Sequence, residues 1–118
     1  VWLHEHAAVG TEVRFYKPSG SFVLQPSEDP VVLMSAGIGI TPMLAMLKQL
    51  AEQNVRREVL FVHSTQTPQS HAFRDEVNSI AQGRGNIKVI SFYSHLKSNE
   101  ALQTAAHAGR MTPSLLAP

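Results

Sequence analysis

The residues whose types and spacing best suit chemistry are Ser35-Ala36-Gly37-Ile38-Gly39-Ile40-Thr41-Pro42. They stand between an apolar run, Val31-Val32-Leu33-Met34, and an amphipathic stretch. Gly37 and Gly39 let a backbone turn tightly and approach a ligand with no Cβ in the way. Thr41 is expected to cap the following helix through its hydroxyl, with Pro42 next, where a missing N–H costs nothing. Such a helix aims backbone N–H groups and a partial positive charge at the mouth of the loop, a site that suits a pyrophosphate. Two features depart from the usual dinucleotide fingerprint. Pro42 stands where that pattern has its third glycine, and the acid expected about 20 positions on is replaced by the tail His63-Ser64-Thr65-Gln66. The plain alternative is a glycine turn that only packs a helix close to its strand.

Other chemistries find less support. Six histidines are scattered without a His-x-x-x-His pair, and His4 and His6 lack carboxylates at ligand spacing, so no metal site is expected. Ser35 lacks the Gly-x-Ser-x-Gly context of a nucleophile elbow. No residue is assigned a catalytic role. His63 and His71 are expected at the surface or at helix termini. Met43 and Met46 read as core.

The elements that must position the loop follow from the pattern. Val31–Met34 reads as a strand buried on both faces. From Thr41 to Gln53, Met43, Met46, Leu47 and Leu50 fall on one helical face, with Lys48, Gln49, Glu52 and Gln53 largely on the other. Val59–Val62 is a second strand. A second helix starts near Ser70, with Phe73, Val77, Ile80 and Ala81 at helical spacing, and Gly83-Arg84-Gly85-Asn86 stops it. Ile87–Phe92 is a third strand. Residues 100–107 are a possible helix, and Thr112-Pro113 reads as the start of another. Alternating strand and helix makes residues 30–118 α/β, with parallel strands joined by right-handed crossovers. Before Pro30, Glu12–Phe15 and Ser21–Leu24 flank a Pro18-Ser19-Gly20 turn and read as a β-hairpin or two edge strands. Gln25–Pro30 reads as a linker, and Leu3–Ala8 as one or two helical turns.

Composition sets the outer limits. The chain has 118 residues, 43% of them hydrophobic and 16% charged, with a formal net charge of +1. This is a globular composition with no basic excess that would ask for nucleic acid or an anionic membrane. No apolar run approaches the roughly 18 residues that span a bilayer. Cysteine is absent, which excludes disulfides and thiolate chemistry within these residues. The first residue is Val1, so a processed chain or a piece of a longer one is expected.

Leu33–Leu47 (LMSAGIGITPMLAML) closely resembles the nicotinamide-nucleotide loop of the ferredoxin–NADP reductase superfamily. In that family the third glycine is commonly proline, which accounts for Pro42. Pro18-Ser19-Gly20-Ser21-Phe22 resembles the Pro-x-Gly-x-Phe turn that ends the flavin-binding barrel. Leu3-His4 with Val9-Gly10-Thr11-Glu12 is similar to a stretch late in that barrel. His71–Val77 resembles the start of the second nucleotide-domain helix, and Gly109-Arg110-Met111-Thr112 the Gly-Arg turn before the next. The nearest likeness is to the reductase part of flavohaemoglobins and related fused reductases.

The resemblance implies a partial, doubly wound parallel sheet over residues 30–118, preceded over 1–29 by a short β segment from the tail of the flavin barrel. The family's flavin-binding motifs would fall before Val1 and its Cys-Gly-Pro motif after Pro118, so no catalysis is expected from these residues alone. It implies that Gly37, Gly39 and Thr41 line a nicotinamide dinucleotide, with Pro42 in the same turn. Ile38 and Ile40 would supply backbone N–H groups, and Ser64, Thr65 and Gln66 would lie at the adenosine ribose. No Arg occurs from Glu58 to Ala72, which favours NADH over NADPH. The intact protein would be a cytoplasmic FAD-containing NAD(P)H reductase passing electrons to a haem or iron–sulfur centre, which such proteins can carry in the same chain. Its alternatives are the reductase part of a nitric oxide dioxygenase and a non-catalytic nucleotide-binding module. In the family's strand order Val31–Met34 would form an unpaired sheet edge, open to self-association.

Overall fold

A computed structural model describes residues 1–54, 56–96 and 106–112. Helix α1 spans Trp2–His6, strand β1 Val31–Ala36, helix α2 Ile40–Glu52, strand β2 Val59–Thr65, helix α3 Arg74–Ala81, strand β3 Ile87–Tyr93 and strand β4 His107–Ala108. Single 3₁₀ turns lie at Gly37–Gly39 and Pro68–Ser70. The strands form one parallel sheet in the order β1-β2-β3-β4. Register runs Val31 opposite Val59 and Val59 opposite Ile87. The chain is thus α/β as the alternation implied, and among the described strands β1 stands at the sheet edge, as the family order required.

Helices α2 and α3 lie side by side against one face of the sheet, joined by an ion pair from Lys48 Nζ to Glu76 Oε1 at 2.6 Å. The core forms under them, from Leu33, Phe61, Val59 and Ile87 of the sheet and Ile40, Met43, Leu44, Leu47, Leu50 and Val77 of the helices. Leu47, Ile40 and Phe61 are wholly enclosed. Each such side chain contributes roughly 1.5–3 kcal/mol relative to exposure. Met43 is core, and Met46 packs against it.

Several local expectations change. Strand β1 is not buried on both faces: Leu33 and Ser35 face α2, while Val32 and Met34 are 54% and 44% exposed on the opposite face. An apolar run in sequence conceals this alternation, because among the described elements helix α2 covers one face of that strand and leaves Val32 and Met34 exposed on the other. The hairpin expected over Glu12–Leu24 does not form: residues 7–30 contain no strand, and Phe15, Tyr16 and Phe22 are exposed. A two-stranded ribbon without a packed face is marginal at best. Thr41 does not cap α2 as an acceptor. The helix enters directly from the 3₁₀ turn with Gly39 at its cap, and the Thr41 hydroxyl donates to the Ile38 carbonyl at 3.2 Å. Pro42 remains in the first turn, where its missing N–H has no helical partner to lose.

Helix α3 starts at Arg74, not at Ser70. Thr67 and Ser70 cap one another reciprocally and close a separate turn, and Phe73 then takes a left-handed φ of +58° ahead of the helix. Phe73 is 45% exposed and outside the core. Gly83, with φ of +76°, stands just past the end of α3 as the stop signal required. The proposed helix at 100–107 falls mostly outside the described residues, and its last residue, His107, is strand β4. The helix expected from Pro113 lies outside them altogether. No helix among the described residues is long and apolar enough to cross a membrane.

Candidate functional site

Parallel strands bring all their C-terminal ends to one edge of the sheet, the edge at which open α/β sheets bind ligands. A cleft of about 520 Å³ opens there. Ala36 and Gly37 line it after β1, Ser64, Thr65 and Gln66 at the end of β2, and Ser94 after β3; Ser70, Arg110 and Met111 complete the wall. Among the described residues of that lining Arg110 is the only charged one, and none of them is a carboxylate. The cleft is therefore electrostatically suited to an anion.

The walls are tied together by backbone hydrogen bonds. The Ser94 N–H donates to the Thr65 carbonyl at 3.0 Å and the His95 N–H to the Gln66 carbonyl at 2.9 Å. The Gly109 N–H donates to the Tyr93 carbonyl at 2.9 Å, which brings Arg110 to the cleft. Thr65 Oγ1 and Ser70 Oγ lie 3.1 Å apart.

The glycine turn separates two requirements. Gly37 has φ of +51°, a left-handed conformation that a side chain would strain, although nothing within 4 Å would meet its Cβ. Gly39 has an ordinary helical conformation (φ −61°), and a Cβ there would lie 3.9 Å from Ser35 Cβ. The backbone therefore demands glycine at 37 alone. Of the expected binding residues, Gly37, Ser64, Thr65 and Gln66 meet in the cleft. Ile38, Gly39, Ile40, Thr41 and Pro42 stand outside its lining. The Ile40 N–H is turned back onto the Gly37 and Ile38 carbonyls, and its side chain is core, so its expected role as a donor to a ligand is not open here. Ile38 is 80% exposed beside the turn.

Beneath the cleft lies a layer that the sequence reading missed. His63 and His71, expected at the surface, are buried. His63 Nδ1 lies 2.9 Å from Ser35 Oγ, and His71 Nδ1 lies 2.8 Å from the Tyr93 hydroxyl. The two imidazoles pack at 4.6 Å between centroids. Burial pushes both below the usual histidine range; His71 falls to about 4, lowered further by His63 and Arg74 and raised slightly by Asp75. His71 Nε2 is buried with no hydrogen-bond partner. One signal was available: His63 is two residues from Phe61, so it shares that residue's core-facing side of the strand.

No group of three metal-ligating side chains is assembled among the described residues. The hydroxyls of Ser64 and Thr65, the lone cation Arg110 and the open space over Gly37 fit a dinucleotide, with its sugar hydroxyls and phosphates.

Residues 33–117 match the family of oxidoreductase NAD-binding domains. The chain belongs to that family. Around this NAD-binding domain the likeness is to flavohaemoproteins. It is 42% identical to a flavohemoprotein of Deinococcus radiodurans over 112 residues, covering 94% of this chain and 28% of that relative. The FAD/NAD-binding domain of a nitric oxide dioxygenase from Vibrio cholerae superposes with a TM-score of 0.86 at 31% identity, over 99% of this chain and 46% of that one. A flavohemoglobin from Malassezia yamatoensis, solved with bound FAD and heme, gives 0.70 at 29% identity, over 83% of this chain and 25% of that one. The NAD-binding domain is thus similar to part of the flavohaemoproteins, and it spans under a third of the length of the Deinococcus relative.

Proposed function

We propose that the chain holds a nicotinamide dinucleotide in the cleft at the C-terminal edge of its sheet, as the nucleotide-binding part of an FAD-dependent NADH oxidoreductase. The observation that carries this is the left-handed turn at Gly37 facing Ser64, Thr65 and Gln66 across a cleft whose only charge among the described residues is Arg110. The adenosine ribose lies against Ser64–Gln66, and the pyrophosphate at the turn Gly37–Gly39, where the N–H groups of a first helical turn lack partners within it. The nicotinamide half extends past Ile38 and Thr41 toward Pro42. When bound, the reduced nicotinamide supplies a hydride that a flavin accepts; the chain's own work is to bind and orient the dinucleotide.

Residues 1–29 are the tail of the flavin-binding barrel, and residues 30–118 the nucleotide domain. The intact protein works in the cytoplasm and hands electrons to a haem carried in the same polypeptide, as a nitric oxide dioxygenase. Likeness to the Vibrio nitric oxide dioxygenase and to the haem-containing Malassezia flavohemoglobin favours haem over an iron–sulfur acceptor. NADH is preferred to NADPH because no Arg lies between Glu58 and Ala72. Calorimetric titration of the chain with NADH and with NADPH tests the reading. Saturable binding with NADH the tighter ligand is expected; absence of binding to either overturns it.

A further inference from the structure

The buried layer and the cleft are joined residue by residue. Ser35 precedes Ala36 and Gly37, His63 precedes Ser64, and Tyr93 precedes Ser94, while His71 follows Ser70. Arg110 joins the same scheme through the hydrogen bond from the Gly109 N–H to the Tyr93 carbonyl. Ser35, His63, His71 and Tyr93 are 8%, 1%, 8% and 1% exposed. They run across three strands and one loop, by a hydrogen bond between Ser35 Oγ and His63 Nδ1, ring packing of His63 on His71, and a hydrogen bond between His71 Nδ1 and the Tyr93 hydroxyl.

Burying four polar side chains in one layer is costly, and His71 Nε2 is left without a partner. Apolar side chains would fill the same space without that cost. What a polar chain adds is direction: its members hold one another at fixed distance and angle. Here the held groups are the last residues before each wall of the cleft.

We propose that His63 and His71 are positioning residues for the dinucleotide, setting the spacing of the β1, β2 and β3 ends that form its cleft. This rests on the cleft being the nucleotide site. The groups facing His71 are His63 from β2, Tyr93 from β3, and Arg74 and Asp75 at the start of α3. Only Asp75 favours a charged ring, so the layer works with both imidazoles neutral. A neutral ring has one donor and one acceptor nitrogen, and a second proton makes both nitrogens donors and changes the pattern of the layer.

The test uses NADH titrations of the 118-residue chain and of Tyr93→Phe, His71→Phe and His71→Asn, each checked by circular dichroism. Tyr93→Phe keeps the ring and strips the hydroxyl from His71. It is expected to weaken NADH binding about fivefold or more above pH ~6.5, the cost of a buried group losing its partner. His71→Asn keeps a neutral group at the Nδ1 position and is expected to retain wild-type affinity. Affinity of the wild type is expected to hold below pH ~6.5 and to fall only as pH drops through about 4, where the folded ring takes up its proton, and His71→Asn to lose that fall. Should His71→Phe fail to fold, Tyr93→Phe and the pH profile of His71→Asn still decide the matter. Folded Tyr93→Phe with unchanged affinity, or His71→Asn with the wild-type pH profile, overturns the positioning role. A wild-type chain that binds no NADH at any pH overturns the nucleotide reading instead, and the proposal with it.

Discussion

The imidazoles of His63 and His71 pack 4.6 Å apart, tilted by 34°, beneath the cleft formed by the strand ends. Two titratable rings at that distance inside a protein cannot both carry a proton cheaply. The arrangement ties the acid stability of the fold to the site above it.

The first prediction concerns pH. His71 titrates near 4 in the folded chain and near the ordinary histidine value of about 6.5 when unfolded. The unfolded state therefore takes up the proton first. The stability contributed by the neutral ring is fully present above pH ~6.5 and is lost as pH falls toward about 4. Thermal melts across that window are expected to show a falling midpoint, and His71→Asn a flatter profile.

The glycine turn yields a paired prediction. Gly37→Ala places a side chain at φ of +51° and is expected to destabilise the fold by about 1–2 kcal/mol. Gly39→Ala meets only Ser35 Cβ at 3.9 Å in an ordinary helical conformation, so stability is expected to hold. If a phosphate lies against that turn, Gly39→Ala nevertheless weakens NADH binding. Denaturant melts and NADH titration of both variants separate backbone strain from ligand approach.

Core and surface are expected to differ sharply on α2. Leu47 is wholly buried among β1, β2 and α2 residues, so Leu47→Ala is expected to cost about 2–5 kcal/mol. Its neighbour Lys48 is half exposed in its ion pair with Glu76, and Lys48→Ala is expected to cost less than about 1 kcal/mol. Urea unfolding of the two variants checks the contrast.

Cofactor choice is expected to depend on Gln66. It lines the cleft beside Ser64 and Thr65, where an arginine can pair with a ribose 2′-phosphate. Gln66→Arg is expected to tighten NADPH binding relative to NADH. An unchanged ratio would place the ribose elsewhere.

Much of the fold was legible from local pattern. The core helix face of Met43, Leu47 and Leu50 and the parallel sheet follow from periodicity, and the edge position of β1 from the family's strand order. The cleft was half legible, because Gly37 and Ser64–Gln66 lie at strand ends that the alternation itself locates. Arg110 shows in the sequence only as part of a Gly-Arg turn, since nothing local reveals that Gly109 bonds back to Tyr93 across the sheet. His63 and His71 were misplaced for a related reason. A histidine's type says little about its burial, and its partners Ser35 and Tyr93 are 28 and 22 residues away. Thr41 was read as a cap because the 3₁₀ turn ahead of α2 leaves no mark in the sequence.

Amide chemical-shift mapping during an NADH titration tests the central claim most directly. The account predicts saturable shifts concentrated at Gly37, Ser64, Thr65, Gln66, Ser94 and Arg110. Absence of saturable shifts, or shifts clustered away from the C-terminal edge of the sheet, would contradict it.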